Sequence, residues 1–254
     1  MANVLLAGES WISTTVEYKG FDSFSNTKLE IGCEKFLESL TDMGHHVTHL
    51  LAHDVPERFP WSRDELNEYD VVILSDIGAN SLLLPASVFY DGRCVANRLD
   101  VLAEWVKEGH GLMMAGGYLS FGGFEGKAHY HGTAVEKALP VDIKPYDDRV
   151  EMPQGVCAEI LQNHPAIGDL ENYMTDRRTP PILGYQQMAP KSNASVLMQV
   201  NSDPLLVIGQ YGMGRSAAYA SDISPHWASE EFMNWNGYSQ LFGNLTRWLA
   251  SENN

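Results

Sequence analysis

Gly109-His-Gly-Leu-Met-Met-Ala-Gly-Gly-Tyr-Leu-Ser-Phe-Gly-Gly123 decides the fold. The short apolar run Gly111 to Ala115 passes directly into a glycine-rich, aromatic-bearing turn, the pattern of a buried strand in an open α/β sheet. Ligands bind beyond the carboxyl ends of such strands, where backbone with few Cβ atoms approaches a bound group closely and offers its amides. The turn carries no nucleophile elbow. Neither Gly-x-Cys-x-Gly nor Gly-x-Ser-x-Gly can be read from Gly116 to Gly123, because Ser120 stands two residues from Tyr118 on one side and Gly122 on the other.

Before it, Asn97 to Glu108 repeats Leu99, Leu102, Trp105 and Val106 at helical spacing and stops at Gly109. Asp70 to Asp76 and Val4 to Ala7 are further buried strands, the latter closed by Gly8 and expected to be central. Leu29, Cys33, Phe36, Leu37, Leu40 and Met43 predict a helix from Lys28, preceded by the Ser25-Asn-Thr27 cap region and ended by Gly44. His46 to Leu51 reads as a strand and Ser62 to Tyr69 as a short helix. This alternation predicts an α/β fold, a mostly parallel doubly wound sheet with helices on both faces.

The second half is patterned differently. Residues 148–152, 155–160, 182–188, 195–200 and 205–211 read as short strands, and Tyr211-Gly-Met-Gly-Arg215 as a hairpin turn into 216–221. An antiparallel extension of the sheet is expected there. In 237–249, Leu241, Leu245, Trp248 and Leu249 share one helical face that packs back onto the sheet. No repeat or linker interrupts the chain, so residues 1–254 are expected to form a single domain.

With 254 residues, 44% of them hydrophobic, the chain can bury a sizeable core. Its 17 basic and 33 acidic residues leave a net charge of -16, which repels nucleic-acid phosphates and anionic membranes; neither is expected as a partner. Cys33, Cys94 and Cys157 have no disulfide-framework or zinc-ligand spacing and fit a reducing compartment. Met1 to Gly8 lacks the length and basic flank of a signal peptide, and no run approaches the ~20 apolar residues of a membrane span. The expected location is the cytoplasm.

Three turns are expected at the carboxyl edge of the sheet: Gly8-Glu-Ser-Trp11, Ser75-Asp-Ile-Gly78 and Gly116 to Gly123. The loop Ala220-Ser-Asp-Ile-Ser-Pro-His-Trp227 is a fourth and the preferred catalytic or binding loop. Histidine changes charge near neutral pH, so His226 is read as a general acid or base, with Asp222 orienting it; the competing reading is a packed loop histidine. Glu9 is a second acid/base or a local cap. Asp76 caps the following segment or contacts a ligand. Ser10, Trp11, Gly117, Tyr118, Ser120, Phe121, His131 and Trp227 complete the ligand-binding candidates, with Trp11, Tyr118, Phe121, Phe124 and Trp227 a possible aromatic wall or simply core. On an extended segment, His129-Tyr-His131 points both imidazoles to one side, where Glu125 could join them on a metal, though such pairs are usually solvated. No metal or other cofactor is assigned.

Gly8-Glu-Ser-Trp11, Lys19-Gly-Phe-Asp22, Gly116 to Gly123, Leu139-Pro-Val141, His164-Pro165 and Ser221 to Trp227 together resemble the glutamine amidotransferase-like proteins related to ThuA-like proteins, within the class I glutamine amidotransferase-like fold. The resemblance implies a flavodoxin-like three-layer sandwich. It also implies a nucleophilic cysteine after the strand at Gly117 or Tyr118, where none stands. Cys33 is expected inside the first helix, Cys94 before the preceding helix and Cys157 on a peripheral strand, so none replaces it. Cys-dependent glutaminase activity is therefore not expected. The expected function is binding of a small polar, carbohydrate-like metabolite, with acid/base chemistry of a hydrolase or isomerase type if the chain is an enzyme. The alternative is a non-catalytic assembly or protein-interaction module. A homo-oligomer is expected, because strand edges exposed in the second half need covering.

Overall fold

Every residue of Val71–Ser75 and Gly111–Ala115 is buried, because these strands carry apolar side chains on both faces and lie inside a parallel sheet. In the computed structural model, which describes residues 1–250, the first strands are β1 (Asn3–Gly8), β2 (Ser10–Lys19), β3 (Asp22–Ile31), β4 (His46–Leu50), β5 (Val71–Ser75) and β6 (Gly111–Ala115). They are followed by β7 (Val141–Asp142), β8 (Arg149–Ile160), β9 (Arg178–Gln186), β10 (Ala189–Pro190), β11 (Ser195–Val200), β12 (Asp203–Tyr211) and β13 (Gly214–Tyr219). The helices are α1 (Glu34–Asp42), α2 (Val55–Arg58), α3 (Arg63–Leu66), α4 (Ala79–Leu83), α5 (Ala86–Phe89) and α6 (Arg98–Lys107), then α7 (Ala134–Ala138), α8 (Glu230–Met233) and α9 (Asn236–Leu249).

Nine strands form one sheet in the order β4-β1-β5-β6-β13-β12-β11-β8-β9. β4, β1, β5, β6 and β13 pair in parallel, and β12, β11, β8 and β9 continue antiparallel. This is the doubly wound α/β sheet with an antiparallel extension that the sequence pattern predicts. The chain leaves β1 for β4 on one side and returns to β5 on the other. With right-handed crossovers, α1 covers one face and α2 to α6 the other. α1 packs with α9, while α6 packs with α3, α4 and α7. Edge-to-face contacts link Phe36, Phe242, Tyr219 and Tyr238 beneath the first of these layers.

The switch in winding direction leaves a crevice at the carboxyl ends of β1 and β5, the place where open α/β sheets bind ligands. Helix starts in the second layer are fixed locally. Asn97 Oδ1 accepts the Leu99 amide at α6, and the Ser62 and Thr133 hydroxyls accept amides at α3 and α7.

Three expectations are corrected. Residues 28–31 belong to β3, not to a helix; the helix begins at Glu34 with Cys33 at its N-cap. Leu29 mimicked a helical repeat only because its spacing to Cys33 is four; the segment's true period is two, about the turn at Gly20 (φ 67°). The two strands expected at 148–152 and 155–160 are one strand, β8, whose register against β9 shifts between Glu151 and Val156, around Gly155 (φ 77°). β13 ends at Tyr219, so Ser221 already belongs to the loop.

Candidate functional site

Gly8 ends β1 at φ 113°, and a Cβ there would overlap the carbonyl oxygen of Ser75. This close approach delivers Glu9 across the end of β5: its amide donates to the Ser75 carbonyl at 3.1 Å, and the Ser75 hydroxyl donates to its carboxyl. Glu9 (φ 50°), Asp76 (φ 44°) and His226 (φ 153°) all hold positive φ, a conformation costing about 1 kcal/mol or more for a residue with a Cβ. Strain of this kind gathers where side chains are aimed for function.

Glu9 and Asp222 are both fully buried, on the turns beyond β1 and β13. Burial raises the Glu9 carboxyl well above its usual range, and the neighbouring Asp222 and Asp76 raise it further. Asp222 is raised likewise, by burial first and then by Asp76, and it shares a hydrogen bond with Glu9. Two carboxyls so placed cannot both ionise cheaply, so burial and mutual repulsion favour the protonated form of one of them. Asp222 Oδ1 accepts the Ser224 amide at 2.9 Å, and Oδ2 lies 3.5 Å from His226 Nδ1. The His226 side chain is 49% exposed, so Asp222 ties the buried pair to an imidazole that reaches solvent.

Asp76 does not cap α4, whose N-cap is Gly78. Its carboxyl instead accepts the Leu119 amide at 2.7 Å and the Tyr118 amide, which offset the rise that burial imposes on it. Gly117 (φ 145°) permits this, since a Cβ there would stand 2.9 Å from Asp76 Oδ1. The amides of the glycine-rich turn are thus turned onto a protein carboxylate. Gln186 locks the same turn from beneath, donating to the carbonyls of Gly117 and Ser120 at 2.7 and 2.8 Å.

An aromatic rim surrounds His226. Its ring lies 5.1 Å from Trp11 and 6.4 Å from Tyr118. Tyr118 neighbours Trp227 and stacks on Phe124, and the Arg149 guanidinium covers both Tyr118 and Phe124 at 4.6 and 4.4 Å. Glu151 accepts from the Tyr118 hydroxyl at 3.1 Å and the Trp227 indole at 3.0 Å.

The structure therefore brings together Glu9, Trp11, Asp76, Gly117, Tyr118, Asp222, His226 and Trp227, the last buried as floor. Other candidates are spent elsewhere. The Ser10 hydroxyl accepts the Ala52 amide, and that of Ser120 accepts the Asp76 amide. Phe121 is wholly in the core. His131 binds the Ile143 carbonyl through Nδ1, and Glu125 pairs with Lys127. His129 has φ 60°, so the segment is not extended and its imidazoles form no pair for a metal. Among the described residues no group of three His, Cys, Asp or Glu side chains is arranged to hold a metal.

Sequence reasoning missed Arg149, Glu151, Cys33 and His49. Arg149 and Glu151 are two residues apart on β8 and so share a face, a signal legible once that segment is read as a strand. Cys33, at the N-cap of α1, is buried beside Glu9, with its Sγ 3.6 Å from His49 Nε2. Burial and the Glu9 carboxyl push its thiol up to about 12, so it stays protonated. Burial also pushes His49 down, and its Nε2 bonds the Gly8 carbonyl at 2.8 Å.

The cytoplasmic proteins STM3548 and STM1381 of Salmonella typhimurium are 43% and 40% identical to the chain, each over 97% of it, with TM-scores of 0.90. The alignments cover 98% and 99% of those proteins. A "putative thua-like protein" from Parabacteroides merdae shares the fold at 12% identity, over 98% of this chain and 90% of its own, with a TM-score of 0.56. No protein of curated function matches the chain. The family described as "Putative glutamine amidotransferase" matches residues 3–251, and the chain belongs to that glutamine amidotransferase-like family.

Proposed function

We propose that the chain binds a small, neutral, hydroxyl-rich metabolite of carbohydrate-like chemistry at the carboxyl edge of its sheet and works on it by acid/base chemistry. The observation that carries this reading is the convergence of the buried Glu9 and Asp222 carboxyls with the exposed His226. A protonated carboxyl pair is a proton source, and an imidazole held by one of its members passes that proton to or from a ligand. The three carboxyls, Glu9, Asp76 and Asp222, disfavour an anionic ligand. Trp11 and Tyr118 offer ring faces to the apolar side of a sugar.

Three features argue against Cys-dependent glutaminase chemistry. The residues where the nucleophile would stand are Gly117 and Tyr118. The amides that would stabilise an acyl oxyanion, those of Tyr118 and Leu119, already face the Asp76 carboxylate. The thiol that does lie at the site, Cys33, is held protonated. Among the described residues no helix is long and apolar enough to cross a membrane. The cytoplasmic Salmonella relatives, and three cysteines that are free among the described residues, support a cytoplasmic location.

The test is thermal-shift titration with neutral monosaccharides, polyols and glutamine, on the wild type and His226→Ala, with ammonia release followed in parallel. A sugar that raises the melting point of the wild type alone, without ammonia from glutamine, is the expected result. Glutamine hydrolysis abolished by Cys33→Ala would overturn the reading.

A further inference from the structure

Between Glu9 and Cys33 the chain runs out as a two-stranded arm, β2 paired to β3 from Ser10↔Ile31 to Lys19↔Asp22. Beyond its first few residues the arm is exposed throughout. Residues opposite one another in an antiparallel pair share a face. One face therefore carries Ile12, Val16, Tyr18, Leu29 and Ile31 among serines and threonines, and the other carries every charge of the arm together with Trp11 and Phe24. The apolar side chains stand in solvent, Tyr18 at 79% and Val16 at 50% exposure. A lone two-stranded ribbon is marginal in water, and this one presents exposed apolar side chains along one face that none of the described residues covers.

We infer that this face docks on a second copy of the same chain, each copy lending its arm to the other. Charge favours a second copy at this place. Of the net charge of -16, residues 10–31 carry only -1, with Glu17, Asp22 and Glu30 against Lys19 and Lys28. Two acidic bodies repel at close range, and the arm holds them apart while making contact. Area favours reciprocal exchange. Ten residues of antiparallel strand reach about 34 Å, and two strands are roughly 10 Å wide, so one face offers about 340 Å². Giving one arm and receiving another brings each protomer to about 700 Å², near the ~800 Å² per partner of a stable interface; two arms laid face to face reach only half of that. The two-fold contact is self-complementary, so the same chain must carry the receiving surface. Leu84, Phe89, Tyr90 and Val95, exposed in and around α5, supply one of like polarity.

The test is sedimentation equilibrium of the full chain across a concentration series, with Val16→Asp on the apolar face, Thr15→Asp on the polar face and Phe89→Asp on the receiving surface, each checked for native circular dichroism. The wild type and Thr15→Asp should sediment as assemblies of two or more copies. Val16→Asp and Phe89→Asp should each raise the dissociation constant at least about tenfold. A wild type that sediments as one copy at every concentration would overturn the inference, as would an assembly that either Asp variant leaves unchanged.

Discussion

On one side of Glu9 lie carboxyl groups with almost no exposure; on the other, nine residues along β2, Tyr18 stands in water. Both regions spring from the same turn, and each reverses the usual partition of side chains. Protein surfaces carry many single apolar residues without consequence, so the informative signals are the buried charge and the row of exposed apolar side chains along one face of the arm. The two reversals differ in kind. The buried carboxyls are costly inside the molecule and make sense through what they do to a ligand, whereas the arm's apolar face makes sense through what covers it.

Burial of charge need not mean function, and Arg98 gives the contrast. It is fully buried, with its guanidinium donating to the carbonyls of Leu82, Val55, Phe59, Pro56 and Ser81 at 2.7 to 3.4 Å and lying over the Trp61 ring. Its donors are spent on loops of the second helical layer, a structural use. Arg98→Ala should produce the largest loss, about 4 kcal/mol and ~10 °C in melting temperature, because it orphans several carbonyls and opens a cavity. A loss under about 1 kcal/mol in chemical denaturation would break the contrast.

Asp148 is the next case. It accepts the Gly122 and Gly123 amides at 2.8 and 2.9 Å, while burial raises its carboxyl to about 6. Asp148→Ala should cost about 2 kcal/mol and loosen the glycine-rich turn, read as faster hydrogen exchange at those two amides. Unchanged exchange would show the turn to be held by Gln186 alone.

Glu9→Gln should act in the opposite direction, raising stability by about 1 kcal/mol at neutral pH. The sign follows from linkage. Burial raises the Glu9 and Asp222 carboxyls in the folded state, so the folded chain keeps protons that the unfolded chain releases above about pH 4. Stability from this source is complete below that pH and is lost as pH rises through the folded values. Melting curves of Glu9→Gln should therefore fall less steeply with rising pH than those of the wild type; parallel curves would remove Glu9 from the pair.

The smallest intrinsic effect belongs to the arm. Val16→Asp should change the stability of a single copy by no more than about 0.5 kcal/mol, as expected for an exposed position. The wild type's melting temperature should rise with protein concentration while that of Val16→Asp stays flat, because association stabilises by mass action. Concentration-independent melting of both would place the arm's partner outside this chain.

The sequence makes β1, β5, β6, α6 and α9 legible because each pairs one periodicity with a clear stop residue, and buried parallel strands tolerate few other readings. Glu9, Asp76 and Asp222 were legible for a related reason: each lies within three residues of the carboxyl end of a parallel strand. The arm was not legible, because Leu29 and Cys33 share a spacing that fits a helix, and only tertiary context places one in solvent and the other in the core. Arg149 and Glu151 were hidden for another reason. They reach the rim through the order of the antiparallel strands, which local pattern does not encode. Strand edges of the second half were the expected surface needing cover; the hairpin of the first half adds exposed apolar side chains that local pattern did not reveal.

The proposed chemistry requires that the Glu9 and Asp222 carboxyls share a proton at neutral pH and hold it next to His226. Infrared difference spectroscopy tests it directly, by the carbonyl stretch of a protonated carboxyl group in wild type minus Glu9→Gln at pH 7. A protonated-carboxyl band is expected in the wild type, lost in Glu9→Gln and perturbed in His226→Ala. A wild type with only ionised carboxylate bands at pH 7 would contradict it.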